Sequence, residues 1–130
     1  MRFVHVKQPD KSYLCGQACI AMILGKSLDE AVDIIGHRRG TWGSNLIKAL
    51  GLNGRLQRVT QKNPLSDLCI MSIRYTGKRG GHWAIKEFDT VLDPAFPYRV
   101  DFRLWENFSK EANMKIKSFF DLTPFYMVVE

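Results

Sequence analysis

An α+β domain, helices first and an antiparallel sheet after them, is what this 130-residue chain predicts. Capped segments of helical character fill the first fifty positions, ending at Gly25, Gly36 and Gly51. Short runs rich in β-branched and aromatic residues then alternate with Gly, Pro, Asn or Asp. There is no repeat, low-complexity tract or linker, so residues 1–130 read as a single domain with one core.

Taken in order, "FVHVK" at residues 3–7 alternates apolar and basic positions and is expected as an edge strand. "CGQACIAMIL" (15–24) is apolar nearly all round, which suits a buried central helix closed by Gly25. "SLDEAVDIIG" carries Ser27 and Glu30 at capping-box spacing, with Gly36 as its stop. "WGSNLIKALG" predicts a third short helix, capped by Thr41 or Ser44. Strands are expected over 54–60, 68–75, 82–88 and 90–93, with hairpin turns at "GKRGG" and at "DT" (Asp89 and Thr90). A helix over 102–112 and a last strand over 125–130, "FYMVVE", complete the prediction.

Composition narrows the function. Hydrophobic residues make up 45% and charged residues 25%, an ordinary globular balance, and no apolar run reaches the length of a membrane span. The opening "MRFVHVKQPD" has neither a continuous apolar segment nor a small-residue cleavage site, so a cytoplasmic protein is expected. Three cysteines do not make a disulfide framework. Cys15 and Cys19 stand four apart, but Cys69 is alone and no histidine clusters near them, so neither a metal site nor a cofactor is implied. The net charge of +6 favours acidic partners. The basic residues are scattered through "HRRG", "GKRGG" and "KEANMKIK", without the aromatic interleaving of a single-strand binder, which argues against nucleic acid.

The chemistry starts at Cys15, where a loop-like segment gives way to the apolar helix. A helix N-terminus offers unpaired N–H groups and partial positive charge, and both favour the reactive thiolate form of a cysteine placed there. The competing reading is a buried structural cysteine, which is the reading kept for Cys19. A cysteine nucleophile needs a proton acceptor that later serves the leaving group. Of His5, His37 and His82, only His82 follows a "GG" and opens a strand, "HWAIKEF", where a ring is held rigidly. Asp93, in "LDP" eleven positions later, returns on the neighbouring strand of a hairpin to the level of His82, within reach of a carboxylate–imidazole hydrogen bond. Its plainer reading is an Asp-Pro turn starter, and Asp89 is closer in sequence but falls in the turn. Gln8, on the approach to Cys15, has a side-chain amide for a developing oxyanion, beside the Cys15 N–H. Trp83 either walls the cleft or belongs to the core.

With Gln8, "CGQACIAMILG", "GT" at 40–41 and "HWAIKEFDTVLDP" in place, the sequence resembles the papain-like superfamily. Within it, the similarity is to small bacterial peptidases related to the bacteriocin leader-processing (double-glycine) peptidases. The resemblance covers roughly residues 5–96 and a final strand, and implies a papain-like minimal domain. It implies Cys15 as nucleophile, His82 as general base and acid, Asp93 as its orienter and Gln8 as oxyanion donor. The implied reaction is hydrolysis of a peptide or other amide bond in a peptide or protein substrate, or transfer to an amine acceptor. Two departures stand out. Gln17 occupies a position where relatives often carry proline or alanine, which sets it with Trp83 as an expected substrate contact. The interval from His82 to Asp93 is also shorter than in many members. The alternative from another class is a catalytically weak binding or inhibitory protein of the same fold, whose basic surface engages an acidic partner or a nucleotide.

Overall fold

Helix α1 (Cys15–Leu24) is the axis on which the other elements assemble, because its apolar side chains leave no face for water. Gly16 through Ile23 are all buried, and Gly25 stops the helix in a left-handed conformation (φ 65°) that a side chain would strain. Helix α2 (Leu28–Ile35) carries the expected capping box: the Ser27 hydroxyl accepts from the Glu30 N–H at 3.1 Å, and the Glu30 carboxylate accepts from the Ser27 N–H at 3.0 Å. Helix α3 (Gly43–Ala49) differs from expectation at its start. Its N-cap is Trp42, whose N–H donates to the Asn45 side chain at 2.8 Å, so neither Thr41 nor Ser44 caps it. The Thr41 hydroxyl is turned instead against Gly16 of α1.

The structure is a computed structural model and describes residues 3–77 and 79–126. Among the described residues six strands follow these three helices: β1 (Gln57–Arg58), β2 (Leu68–Tyr75), β3 (Gly81–Glu87), β4 (Thr90–Leu92), β5 (Val100–Asp101) and β6 (Met114–Asp121). All pair antiparallel, in the order β1-β6-β2-β3-β4-β5. Helix α4 (Phe102–Glu111) precedes β6, and a single turn of helix, α5 (Thr123–Tyr126), comes after it. The α+β class is therefore as the sequence predicts.

Both faces of the sheet are covered. Leu68, Ile70, Trp83, Ile85 and Phe120 pack with α1, α2 and α3, whereas Cys69, Met71, Ile73, Ala84, Val91 and Phe119 pack with Trp105 of α4. This explains why "LCIMSI" is continuously apolar: β2 sits between β6 and β3 and is buried on both sides.

Four expectations need correction. The "FVHVK" segment forms no strand; it is an extended strap whose contacts run largely through side chains. The strand expected over 54–60 is reduced to Gln57–Arg58. The β3–β4 turn is Phe88–Asp89, with Phe88 at φ 55° and its N–H bonded to the Asp67 carbonyl at 2.7 Å, so Thr90 already belongs to β4. Among the described residues the last strand is β6: Phe125 and Tyr126 of the strand expected over 125–130 lie in α5, and residues 127–130 fall outside those described.

Candidate active site

The N-terminus of α1 ends in a cleft of about 780 Å³, and Cys15, its first residue, lines it. Leu14 is the N-cap and offers no side-chain acceptor, so the first N–H groups of the helix, that of Cys15 included, have no intrahelical partner. Tight approach of the 40–42 segment walls the cleft beside the thiol. A Cβ on Gly16 would stand 2.0 Å from the Thr41 hydroxyl oxygen, so only glycine is accommodated there. Gly16→Ala is accordingly expected to lower stability by about 2 kcal/mol in urea denaturation, from overpacking. Gly40→Ala, where a Cβ meets nothing within 4 Å, leaves the midpoint unchanged.

His82 is the second residue of β3 and has only 9% of its side chain exposed. Its Nε2 meets Asp93 Oδ1 at 2.5 Å, and Cys15, which lines the same cleft, lies near enough to the ring to raise its hold on the proton. The β3–β4 register pairs Ile85 with Leu92, and its continuation sets Asp93 opposite Ala84. The carboxylate therefore reaches His82 along the diagonal of the hairpin and not from directly across, a correction to the expected level alignment.

Asp93 is 1% exposed, yet every lone-pair direction it needs is used. Oδ1 also accepts from the Ala95 N–H at 2.9 Å, and Oδ2 accepts from Trp105 Nε1 at 2.8 Å. The turn-starter reading and the orienter reading thus hold together: one oxygen fixes the Asp-Pro turn while also meeting the imidazole. Burial opposes ionisation of Asp93, but the hydrogen bond and charge of His82, with Trp105 and Ala95, outweigh it and hold the carboxyl below its usual range. Burial likewise disfavours a charged His82. The hydrogen bonds and charges of Asp93 and Cys15 override it and push the imidazole up to about 10. The two other thiols are inert by the same physics. Burial pushes Cys19 well above its ordinary value and Cys69 up to about 12.

Gln8 also lines the cleft, and its backbone N–H donates to the Pro94 carbonyl at 2.8 Å, one residue from Asp93. The strap behind it is fastened at three points. The Phe3 N–H donates to Glu87 at 3.1 Å, Arg99 donates to the Phe3 carbonyl at 2.7 Å, and the His5 ring meets the Phe96 carbonyl at 2.7 Å. A buried Arg99–Glu87 pair at 2.6 Å underlies them. The Gln8 amide nitrogen donates to the Ser12 carbonyl at 3.1 Å and to the Ser12 hydroxyl at 3.3 Å, which orients the side chain against the loop that leads to Cys15.

Of the two expected substrate contacts, Trp83 lines the cleft and also belongs to the core, with its indole N–H on the Thr41 carbonyl at 3.2 Å. Gln17 does not reach the cleft. It is fully buried, and its amide nitrogen donates to the carbonyls of His37 (3.0 Å) and Arg39 (2.8 Å), bracing from behind the loop that leads to Thr41. Two positions after Cys15 on a helix, Gln17 projects from nearly the opposite side, away from the cleft mouth. Sequence reasoning missed Trp105, the second partner of Asp93. Its only signal was an indole on the apolar side of an amphipathic segment, which does not say which strand end it meets. Among the described residues no cluster of His, Cys, Asp or Glu is arranged to hold a metal ion, and no helix is long and apolar enough to cross a membrane. No protein-family model matches the chain, and no curated protein matches it.

Proposed function

We propose that the protein is a papain-like thiol hydrolase acting on peptide or related amide bonds. The observation that carries this reading is the His82–Asp93 bond beside Cys15 in one cleft at a helix N-terminus. In the proposed reaction the Cys15 sulfur attacks the carbonyl carbon and a C–S bond forms. The oxyanion meets the Cys15 N–H, and the Gln8 amide reaches it by releasing the Ser12 hydroxyl. His82 gives its proton to the leaving nitrogen as the C–N bond breaks, which leaves a thioester on Cys15. Water then attacks the thioester while His82 takes its proton, and the acid departs with the thiol restored. Asp93 holds the ring with Nε2 turned inward, so that the other nitrogen serves the sulfur.

The test is alkylation by iodoacetamide at pH 6 with peptide mapping. Selectivity for Cys15 over the buried Cys19 and Cys69 would follow from exposure alone, so the His82→Ala protein decides. Loss of the imidazole is expected to slow Cys15 alkylation at least about tenfold at that pH, because the sulfur loses the group that takes its proton. An unchanged rate would remove His82 from any role in activating the sulfur.

A further inference from the structure

We propose that the Cys15 cleft receives an acidic peptide, whose carboxylate is held by Arg74 and Arg79. The inference names the substrate class of the thiol-hydrolase site proposed above, and rests on that reading only for what happens after binding.

Arg74 stands near the end of β2 and Arg79 in the turn before β3, and both are exposed and line the cleft that holds Cys15 and His82. Arg99 pairs with Glu87 and Arg38 with Asp29, while Arg39, Arg55, Arg58 and Arg103 have no ion pair among the described residues and do not line the cleft, so it is their position there that sets Arg74 and Arg79 apart. Among the described residues no carboxylate pairs with Arg74 or Arg79, and no Asp or Glu lines the cleft. His82 adds no net charge, because Asp93 meets its ring, so the two guanidinium groups set the positive sign of the concavity.

Two features show that the charge is placed and not merely solvated. Arg74 faces Gly81 across the β2–β3 pair, and a Cβ there would lie 3.6 Å from Arg74 Cδ and 3.8 Å from Nη1. The missing side chain lets the guanidinium stem lie across the backbone next to His82. On its other side Arg74 is paired with Lys115 of β6, a like-charge neighbour that costs stability unless an anion joins them. Opposite, Tyr13 and Trp42 line the cleft with 75% and 73% of their surface exposed, two aromatic walls for the rest of a peptide. A planar guanidinium receives a carboxylate through two parallel hydrogen bonds. A nucleic-acid backbone would call for a longer track of cations than this short cluster offers.

The experiment uses the Cys15→Ala protein, so that turnover plays no part, and fluorescence anisotropy of a fluorescein-labelled hexapeptide with two central glutamates against its glutamine isostere. The glutamate peptide is expected to bind at least about tenfold more tightly. In Arg74→Gln/Arg79→Gln on the same background the advantage falls below about threefold, while Arg103→Gln/Lys110→Gln on α4, with the same change of net charge, preserves it. No preference for glutamate, with or without measurable binding, overturns the proposal. So does an equal loss in the α4 variant, which would make net charge the cause. Tighter binding of an oligothymidylate of matched charge, dependent on Arg74 and Arg79, would overturn it in favour of nucleic acid. A glutamate preference that survives while iodoacetamide shows no role for His82 would keep the acidic ligand and remove the hydrolase.

Discussion

Asp93→Ala is expected to lower the free energy of unfolding by about 3–5 kcal/mol, the largest stability effect of any substitution at the site. Three donors converge on this carboxylate: His82 Nε2, Trp105 Nε1 and the Ala95 N–H. Trp105 is fully buried, so its indole N–H has no water to turn to. The imidazolium loses its counter-charge in a place where only 9% of its side chain is exposed. Asp93→Asn is expected to recover part of the loss, since one amide oxygen still accepts, but its NH2 faces a donor and the ring loses its inward tautomer. Asp89→Ala is the comparison: its side chain is exposed in the β3–β4 turn, and its loss should stay within about 0.5 kcal/mol. Urea denaturation at neutral pH measures all three. A cost below about 1 kcal/mol for Asp93→Ala would mean that the convergence of donors contributes little, and that the carboxylate does not fix the ring.

The site draws its members from four distant parts of the chain, and the fold explains how they meet. Helix α1 delivers sulfur and open N–H groups at one point. The β3–β4 hairpin carries both His82 and Asp93, so their separation is set by one short turn and by register, not by the docking of separate layers. Trp105 comes through from the opposite sheet face, which couples α4 to the carboxylate. The strap at 3–8 is anchored by Glu87 and Arg99 at one end and by Pro94 at the other. Its function in the proposed mechanism is to hold Gln8 at a fixed distance from Asp93, so the oxyanion donor and the base share one frame.

Local signals were legible, and non-local ones were not. The all-apolar stretch of α1, the capping box at Ser27 and Glu30, and the glycine stops are decided within a few residues, so the sequence alone carries them. His82 and Asp93 were legible for the same reason, because a hairpin is local. Strand β6 was not. In "MKIKSFFD" Lys115 and Lys117 alternate with Met114 and Ile116, a period of two. Coming directly after the helical "WENFSKEAN", it reads as a basic surface. Its partners are β1 and β2, far earlier in the chain, and that pairing leaves no local trace. Gln17 failed differently. The family resemblance set it at a cleft rim, but the two carbonyls of His37 and Arg39 that its amide nitrogen meets come together only once α1 and the following loop are packed. Thr41 shows the same limit: a good capping residue by type is claimed by contact with Gly16.

The second large effect is a pH dependence that His82 imposes on stability. Its folded value is raised to about 10 from an ordinary 6.5, so between these limits the folded protein keeps a proton that the unfolded chain has lost. Stability from this group is therefore fully present below about 6.5 and declines as pH rises through about 10, by up to roughly 5 kcal/mol in all. On the acid side Asp93, held below its ordinary range, withdraws the contribution as pH falls under about 4 and its carboxyl is protonated. These are two ends of one interaction and are counted once. The measurement is urea denaturation of the wild type and His82→Gln at several pH values from 6 to 10, reading the difference so that other titrations cancel. The gap between the two proteins is expected to be widest near pH 6 and to close steadily toward pH 10. A gap that is flat across this range would show a neutral imidazole in the folded state. The ring would then meet substrate uncharged, and would have to take up a proton before it could give one to the leaving nitrogen.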